Sequence, residues 1–158
     1  MGTGKTTIGS QLARALKFEF IDTDQELENR PGASISLLFD IEGESGFRER
    51  EKKIIDELTQ RDRIVIATGG GVVLSEENRS FLSERGHVIY LQSDVEALVQ
   101  RTRFDHTRPL LQTTDPEQTL REIMAVREPL YSSIADSVVD TGKLSAKQVV
   151  KRLISELL

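Results

Sequence analysis

MGTGKTTIGSQLARAL, residues 1–16, decides the fold. Gly4-Lys5-Thr6 form the closing half of the pattern G-x-x-x-x-G-K-[ST]. In that pattern backbone N–H groups turn inward around phosphates, the lysine meets the outer phosphates and the hydroxyl ligates Mg²⁺. Ile8, Leu12, Ala15 and Leu16 then fall at helical spacing, so an amphipathic helix starts directly at the glycine-rich loop. Lys5 and Thr6 thereby sit at a dipole-positive helix N-terminus, which suits phosphate. Gly2, Thr3, Gly4, Lys5, Thr6 and Thr7 are the candidate nucleotide-binding residues, with Thr6 the candidate metal ligand. Counted back from Gly4, the first glycine of the pattern would lie two residues before Met1. The strand from which such a loop normally hangs is missing as well. The expectation is that the natural protein, or the true reading frame, begins several residues upstream, with Met1 inside the loop.

Beyond the loop the chain alternates. FEFID (18–22) reads as a short strand, and residues 23–60 as two or three short helices interrupted by RPGAS and EGESG. RIVIATGGG (63–71) reads as a buried strand, rich in β-branched residues, that runs into three glycines. Ser75 to Arg85 is a predicted helix, HVIYL (87–91) a second buried strand, and Asp94 to Thr102 a helix capped by Ser93 or Asp94. The polar stretch 103–116 lacks periodicity and reads as a mobile loop. A helix from Glu117 to about Ser133, the strand SVVDT and the amphipathic helix SAKQVVKRLISELL close the chain. Alternating strands and helices imply right-handed crossovers and a mainly parallel sheet covered on both faces, an α/β three-layer domain. Only four strands are visible.

Composition narrows the function. The 158 residues are 37% hydrophobic and 30% charged, a globular balance expected to form one domain, 1–158. A net charge of −5 opposes broad attraction to nucleic acid or anionic membrane, so phosphate would be bound locally. With no cysteine, disulfides and thiolate metal sites are excluded. His87 and His106 are isolated, with no second ligand at metal spacing. No apolar run approaches the length of a membrane span and no secretory signal opens the chain, so a cytoplasmic monomer is expected.

Asp22 and Asp24 stand two apart in IDTD. One of them, or both, serves where the strand gives way to a helix, where an aspartate can also be a plain cap. GESGFRERE, ATGGG, TRPLL and VREPLY follow. In order, GTGKTTIG, FIDTDQELE, FDIEGESGFRERE, ATGGGVV, TRPLL and REPLY resemble the markers of the shikimate kinase family, over nearly the whole chain. The resemblance implies a P-loop kinase fold, a substrate-binding helical region at about 23–60 and a lid at about 103–116. It implies transfer of the γ-phosphate of ATP to a hydroxyl of shikimate, with Mg²⁺ as cofactor.

The same resemblance implies roles for individual residues. Asp24 would hydrogen-bond the accepting hydroxyl and act as its general base, and Asp22 would serve Mg²⁺, through water. Arg48 and Arg127 would grip the substrate carboxylate, and Gly69, Gly70 and Gly71 would let the backbone approach the substrate. Phe39 and Phe47 would wall the ring pocket or simply fill the core, and Glu51 would orient Arg48. Lys5 and Arg108 would compensate phosphate charge, and Arg101 would stack on adenine. Two alternatives stay open: another small P-loop kinase, such as one acting on gluconate or a nucleoside monophosphate, and a non-catalytic nucleotide-binding paralogue.

Overall fold

The computed structural model describes residues 4–102 and 115–158, without the side chains of Arg101 and Thr102. Helix α1 (Lys5–Leu16) begins after Gly4, whose φ of 79° is a left-handed value that favours glycine. It ends at Lys17, also left-handed, whose N–H reaches the Ala13 and Arg14 carbonyls. Strand β1 (Glu19–Asp22) turns straight into α2 (Thr23–Asn29). Helix α3 (Ile35–Leu58) is capped by Ser34, whose hydroxyl accepts from the Leu37 N–H, and it kinks at Gly43 (φ 71°, ψ 178°). The expected interruption at EGESG is therefore one residue wide: helix resumes at once and runs through Gly46.

Strand β2 (Ile64–Ala67) leads to a 3-10 turn (Gly70–Leu74) and α4 (Glu76–Arg85), capped by Ser75. Then come β3 (Ile89–Gln92), α5 (Val95–Thr102), α6 (Pro116–Ile134), β4 (Ser137–Asp140) and α7 (Ala146–Leu157). The cap of α5 is Asp94, whose carboxylate accepts from the Ala97 N–H at 2.7 Å, while Ser93 is buried. Asp115 and Pro116, placed by the sequence at the end of a loop, instead cap and start α6. Ser145 and Gln148 close a reciprocal capping box on α7.

All described strand pairing is parallel. β1 pairs with β2 in the register Glu19–Ile64 to Asp22–Ala67, and β3 with β4 from Ile89–Ser137 to Gln92–Asp140. The two ladders are separate, and an apolar cleft of about 600 Å³ runs between them, lined by Ile64, Val65, Ile66, Tyr90 and Leu91 among others. The period of two along the strands sorts side chains into layers. Val65, Ile89, Leu91 and Val139 pack with Ile8 and Leu12 of α1 and with Val149, Val150 and Leu153 of α7. Ile64 and Ile66 face the other way, onto Leu27 of α2 and Leu38, Phe47, Ile54 and Leu58 of α3. This makes the α/β/α sandwich read from the alternation. Val149 and Leu153, both fully buried, each contribute on the order of 1.5–3 kcal/mol.

Among the described residues, no helix is long and apolar enough to cross a membrane.

Candidate active site

The site collects at the C-terminal ends of β1 and β2, where both strands run into helices or turns. The N-terminus of α1 has no side-chain cap and no acid in its first turn. Among the described residues its first amides have no side-chain acceptor, which suits the binding of a phosphate. Lys5 stands half-buried at its first position. One residue on, the Thr6 hydroxyl donates to Asp22 Oδ2 at 2.8 Å. Asp22 Oδ1 meanwhile accepts from the N–H groups of Asp24 and Gln25, at 2.9 and 3.4 Å, and caps α2. The two aspartates separate because the helix starts between them: Asp22 stays at the strand end beside the loop, and Asp24 turns into the first helical turn.

Asp24 faces a second cluster. A Cβ added to Gly69 would lie 2.8 Å from Asp24 Oδ1 and 3.2 Å from Glu51 Oε2, and one added to Gly71 would overlap the Arg48 guanidinium. At both positions a side chain would have to push a functional group out of its present place. Arg48 Nη1 donates to Glu51 Oε1 at 3.0 Å, and Glu51 is 1% exposed. Burial raises the Glu51 carboxyl above its usual range against the pull of Arg48; Asp24 raises it further and Arg127 lowers it. All four groups therefore share one field. Arg127 is itself only 4% exposed, an unusual position for arginine unless its charge meets an anion. Among the described residues, Arg48 Nε and Glu51 Oε2 are buried without a hydrogen-bond partner. The open Arg48 N–H beside buried Arg127 suits an anionic ligand, and the open Glu51 oxygen suits a donor such as a hydroxyl.

Phe47 is buried, and its ring centroid lies 4.7 Å from that of Phe39 and 5.1 Å from the Arg48 guanidinium carbon. It packs in the α2–α3 core and supports Arg48 from below. The remaining expectations fall elsewhere. Gly2, Thr3 and Arg108 lie outside the described residues, as does the side chain of Arg101; Thr7 is exposed on α1. His87 Nε2 shares a hydrogen bond of 2.9 Å with Ser137 Oγ, away from the site. Among the described residues no group of three or more His, Cys, Asp and Glu side chains could hold a metal.

Two contributors carried no role in the sequence reading. Thr23 is fully buried, and its hydroxyl accepts from the Gly69 N–H at 3.1 Å. Tyr131 donates to the Gly70 carbonyl at 2.6 Å. The only local signals were a small hydroxyl residue between two aspartates and the last letter of REPLY.

A helix N-terminus behind Gly4-Lys5-Thr6 at the ends of parallel strands, with a buried arginine and a glycine turn nearby, is the arrangement of a P-loop kinase. The family model described as shikimate kinase matches residues 1–158. The chain is 57% identical over 157 residues to the shikimate kinase of Bordetella pertussis, covering 99% of this chain and 74% of that protein. It is 53% identical over 155 residues to that of Methylococcus capsulatus, covering 98% and 87%. A solved shikimate kinase from Acinetobacter baumannii in complex with shikimate superposes with a TM-score of 0.97 at 44% identity, covering 99% of this chain and 88% of that one. The chain belongs to the shikimate kinase family.

Proposed function

We propose that this chain transfers the γ-phosphate of ATP to the 3-hydroxyl of shikimate, giving shikimate 3-phosphate and ADP. The observation that carries the acceptor assignment is that buried Arg127 and Arg48 both act on buried Glu51, which braces Arg48, behind a glycine wall. A guanidinium fork binds a carboxylate bidentately, and two such forks beside Asp24 select a small acid carrying a hydroxyl.

In the transfer, the acceptor oxygen bonds to the γ-phosphorus as the bond from that phosphorus to the β–γ bridging oxygen breaks. The hydroxyl proton passes to the Asp24 carboxylate, and ADP leaves with the bridging oxygen. Such transfers have loose transition states, so the protein mainly positions the reactants and balances charge. The amides at the start of α1 hold phosphate oxygens and Lys5 compensates their charge. Thr6 and Asp22 place two hard oxygen donors 2.8 Å apart beside the loop, which fits Mg²⁺ held by few protein ligands together with phosphates and water. Mg²⁺ bound there would neutralise developing phosphate charge. Arg108, from the TRPLL motif, completes the phosphate-side charge in this reading, and Arg101 stacks on adenine.

The same reading makes residues 1–158 one catalytic domain, working as a cytoplasmic monomer on two small molecules without nucleic acid or membrane. The net charge of −5 supports the part of this reading that leaves out nucleic acid and anionic membrane. The test is coupled ADP release with ATP and Mg²⁺, comparing shikimate, gluconate, AMP and no acceptor. Release stimulated by shikimate alone is expected; equal stimulation by gluconate, or silence with all acceptors while ATP binds, overturns it.

A further inference from the structure

Tyr131 follows Arg127 by four positions on α6, so the two side chains rise from one face of that helix. The Tyr131 hydroxyl donates to the Gly70 carbonyl oxygen across 61 positions of sequence. That bond joins the helix carrying Arg127 to the turn whose neighbouring glycines press on Asp24, Glu51 and Arg48. The turn's other fixed points come from different elements. Thr23 at the start of α2 accepts from Gly69, while Asn78 and Arg79 of α4 donate to the Val72 and Val73 carbonyls at 3.1 and 2.6 Å.

The ring of Tyr131 is held from a third direction. It packs on Tyr90 of β3 with centroids 5.0 Å apart and planes inclined by 38°, and the Tyr90 hydroxyl is bonded to Glu128 of α6. Burial raises the Tyr131 pKa while Arg127, by its charge and by a hydrogen bond to the hydroxyl, opposes the rise, so at neutral pH the hydroxyl remains protonated and lies between Arg127 and Gly70. Pro129, between Arg127 and Tyr131, has no N–H to give to the preceding turn. One ladder bond is missing where Arg127 must be placed, so the last turns of α6 depend more on side-chain anchors.

We propose that Tyr131 is a positioning residue for the acceptor pocket: through Gly70 it fixes Arg127 relative to the Asp24–Arg48 wall, and so sets acceptor affinity without touching the nucleotide loop. The proposal rests on the carboxylate-binding reading of Arg48 and Arg127. A tyrosine that merely filled space would lose little on becoming phenylalanine, because the ring and its packing on Tyr90 remain.

Tyr131→Phe in the full chain is the test, with two readouts. Without ligand, amide hydrogen exchange of residues 69–74 should quicken roughly tenfold while exchange in α1 is unchanged. With ATP saturating, KM for shikimate should rise roughly fivefold to twentyfold, the ratio expected from one lost buried hydrogen bond, while kcat and KM for ATP stay within about twofold. In an Arg127→Ala background the same change should add less than about twofold to the shikimate KM. Unchanged exchange over 69–74 overturns the clamp. Faster exchange with an unchanged shikimate KM, or equal rises in both KM values with a fall in Tm, overturns the positioning role. A wild-type chain without shikimate-dependent turnover overturns the acceptor reading and the positioning role with it, and the exchange result still decides whether the clamp exists.

Discussion

Arg48 Nη1 and Glu51 Oε1 lie 3.0 Å apart on successive turns of α3, and the carboxylate of this pair is almost wholly buried. Burial is the main reason the Glu51 carboxyl is raised, with Arg48 opposing. Between its ordinary value of about 4.5 and the raised folded value, the native state binds more protons than the unfolded chain. Stability contributed by this group is therefore lost as pH climbs through that window. Glu51→Gln removes the titration, so Tm of the variant minus Tm of the wild type should be larger at about pH 7.5 than at about pH 4.5. At this chain length roughly 2–4 °C corresponds to each kcal/mol of difference. A difference that is flat, or shrinks with rising pH, refutes the argument.

Arg127→Ala should raise KM for shikimate far more than KM for ATP. A hydrogen bond to a charged group contributes about 1.5–3 kcal/mol, so a rise of roughly 10-fold to 100-fold is expected, with ATP within about threefold. Steady-state kinetics with each substrate varied in turn will read it. Equal effects on the two substrates would count against a carboxylate-gripping role.

The alternation of strands and helices was legible because period two and period 3.6 are local, and each element lies within a few residues of its predicted place. The pairing of strands into two ladders was not, since periodicity says which face is buried and nothing about which strand lies alongside. Thr6, marked by the phosphate-loop pattern, and Asp22, given a metal-side role by the family resemblance, lie in hydrogen-bond contact. Arg127, taken alone, reads like one more loop arginine; only the ordered series of motifs marked it and Arg48, and local spacing gives no hint that Arg127 is 4% exposed. Thr23 and Tyr131 were illegible for another reason. Each acts through a single hydroxyl bonded to backbone 46 or 61 positions away, and such a bond leaves no trace in local spacing.

Asp24→Asn keeps the size and the first-turn position of the side chain but removes its capacity to take a proton. General-base removal typically costs about 10²–10⁴ in rate, so kcat should fall by that range while nucleotide affinity changes by less than about threefold. Turnover paired with a fluorescent-nucleotide titration will separate the two. Retained kcat rules out the base role.

Gly71→Ala tests the wall itself. The added methyl would overlap both terminal nitrogens of Arg48, so the guanidinium must move while α1 and the phosphate loop stay in place. A displacement near 1 Å can cost about 10²-fold in a positioned reaction, and kcat/KM for shikimate should drop by roughly that factor with ATP binding intact. An active variant with normal shikimate KM would show that Arg48 does not need its present place.

Asp22 has two jobs that one substitution can separate. Its Oδ1 caps α2 through the Asp24 and Gln25 amides, and its Oδ2 accepts from Thr6 in the region assigned to Mg²⁺. Asparagine caps a helix about as well as aspartate but brings no negative charge to a metal. Asp22→Asn should therefore leave Tm within about 3 °C, corresponding to roughly 1 kcal/mol at this length, because the cap survives. The Mg²⁺ concentration for half-maximal rate should rise by about tenfold or more, because the anionic partner is gone. A large loss of Tm with an unshifted Mg²⁺ requirement would make Asp22 a cap alone and move the metal-side carboxylate elsewhere.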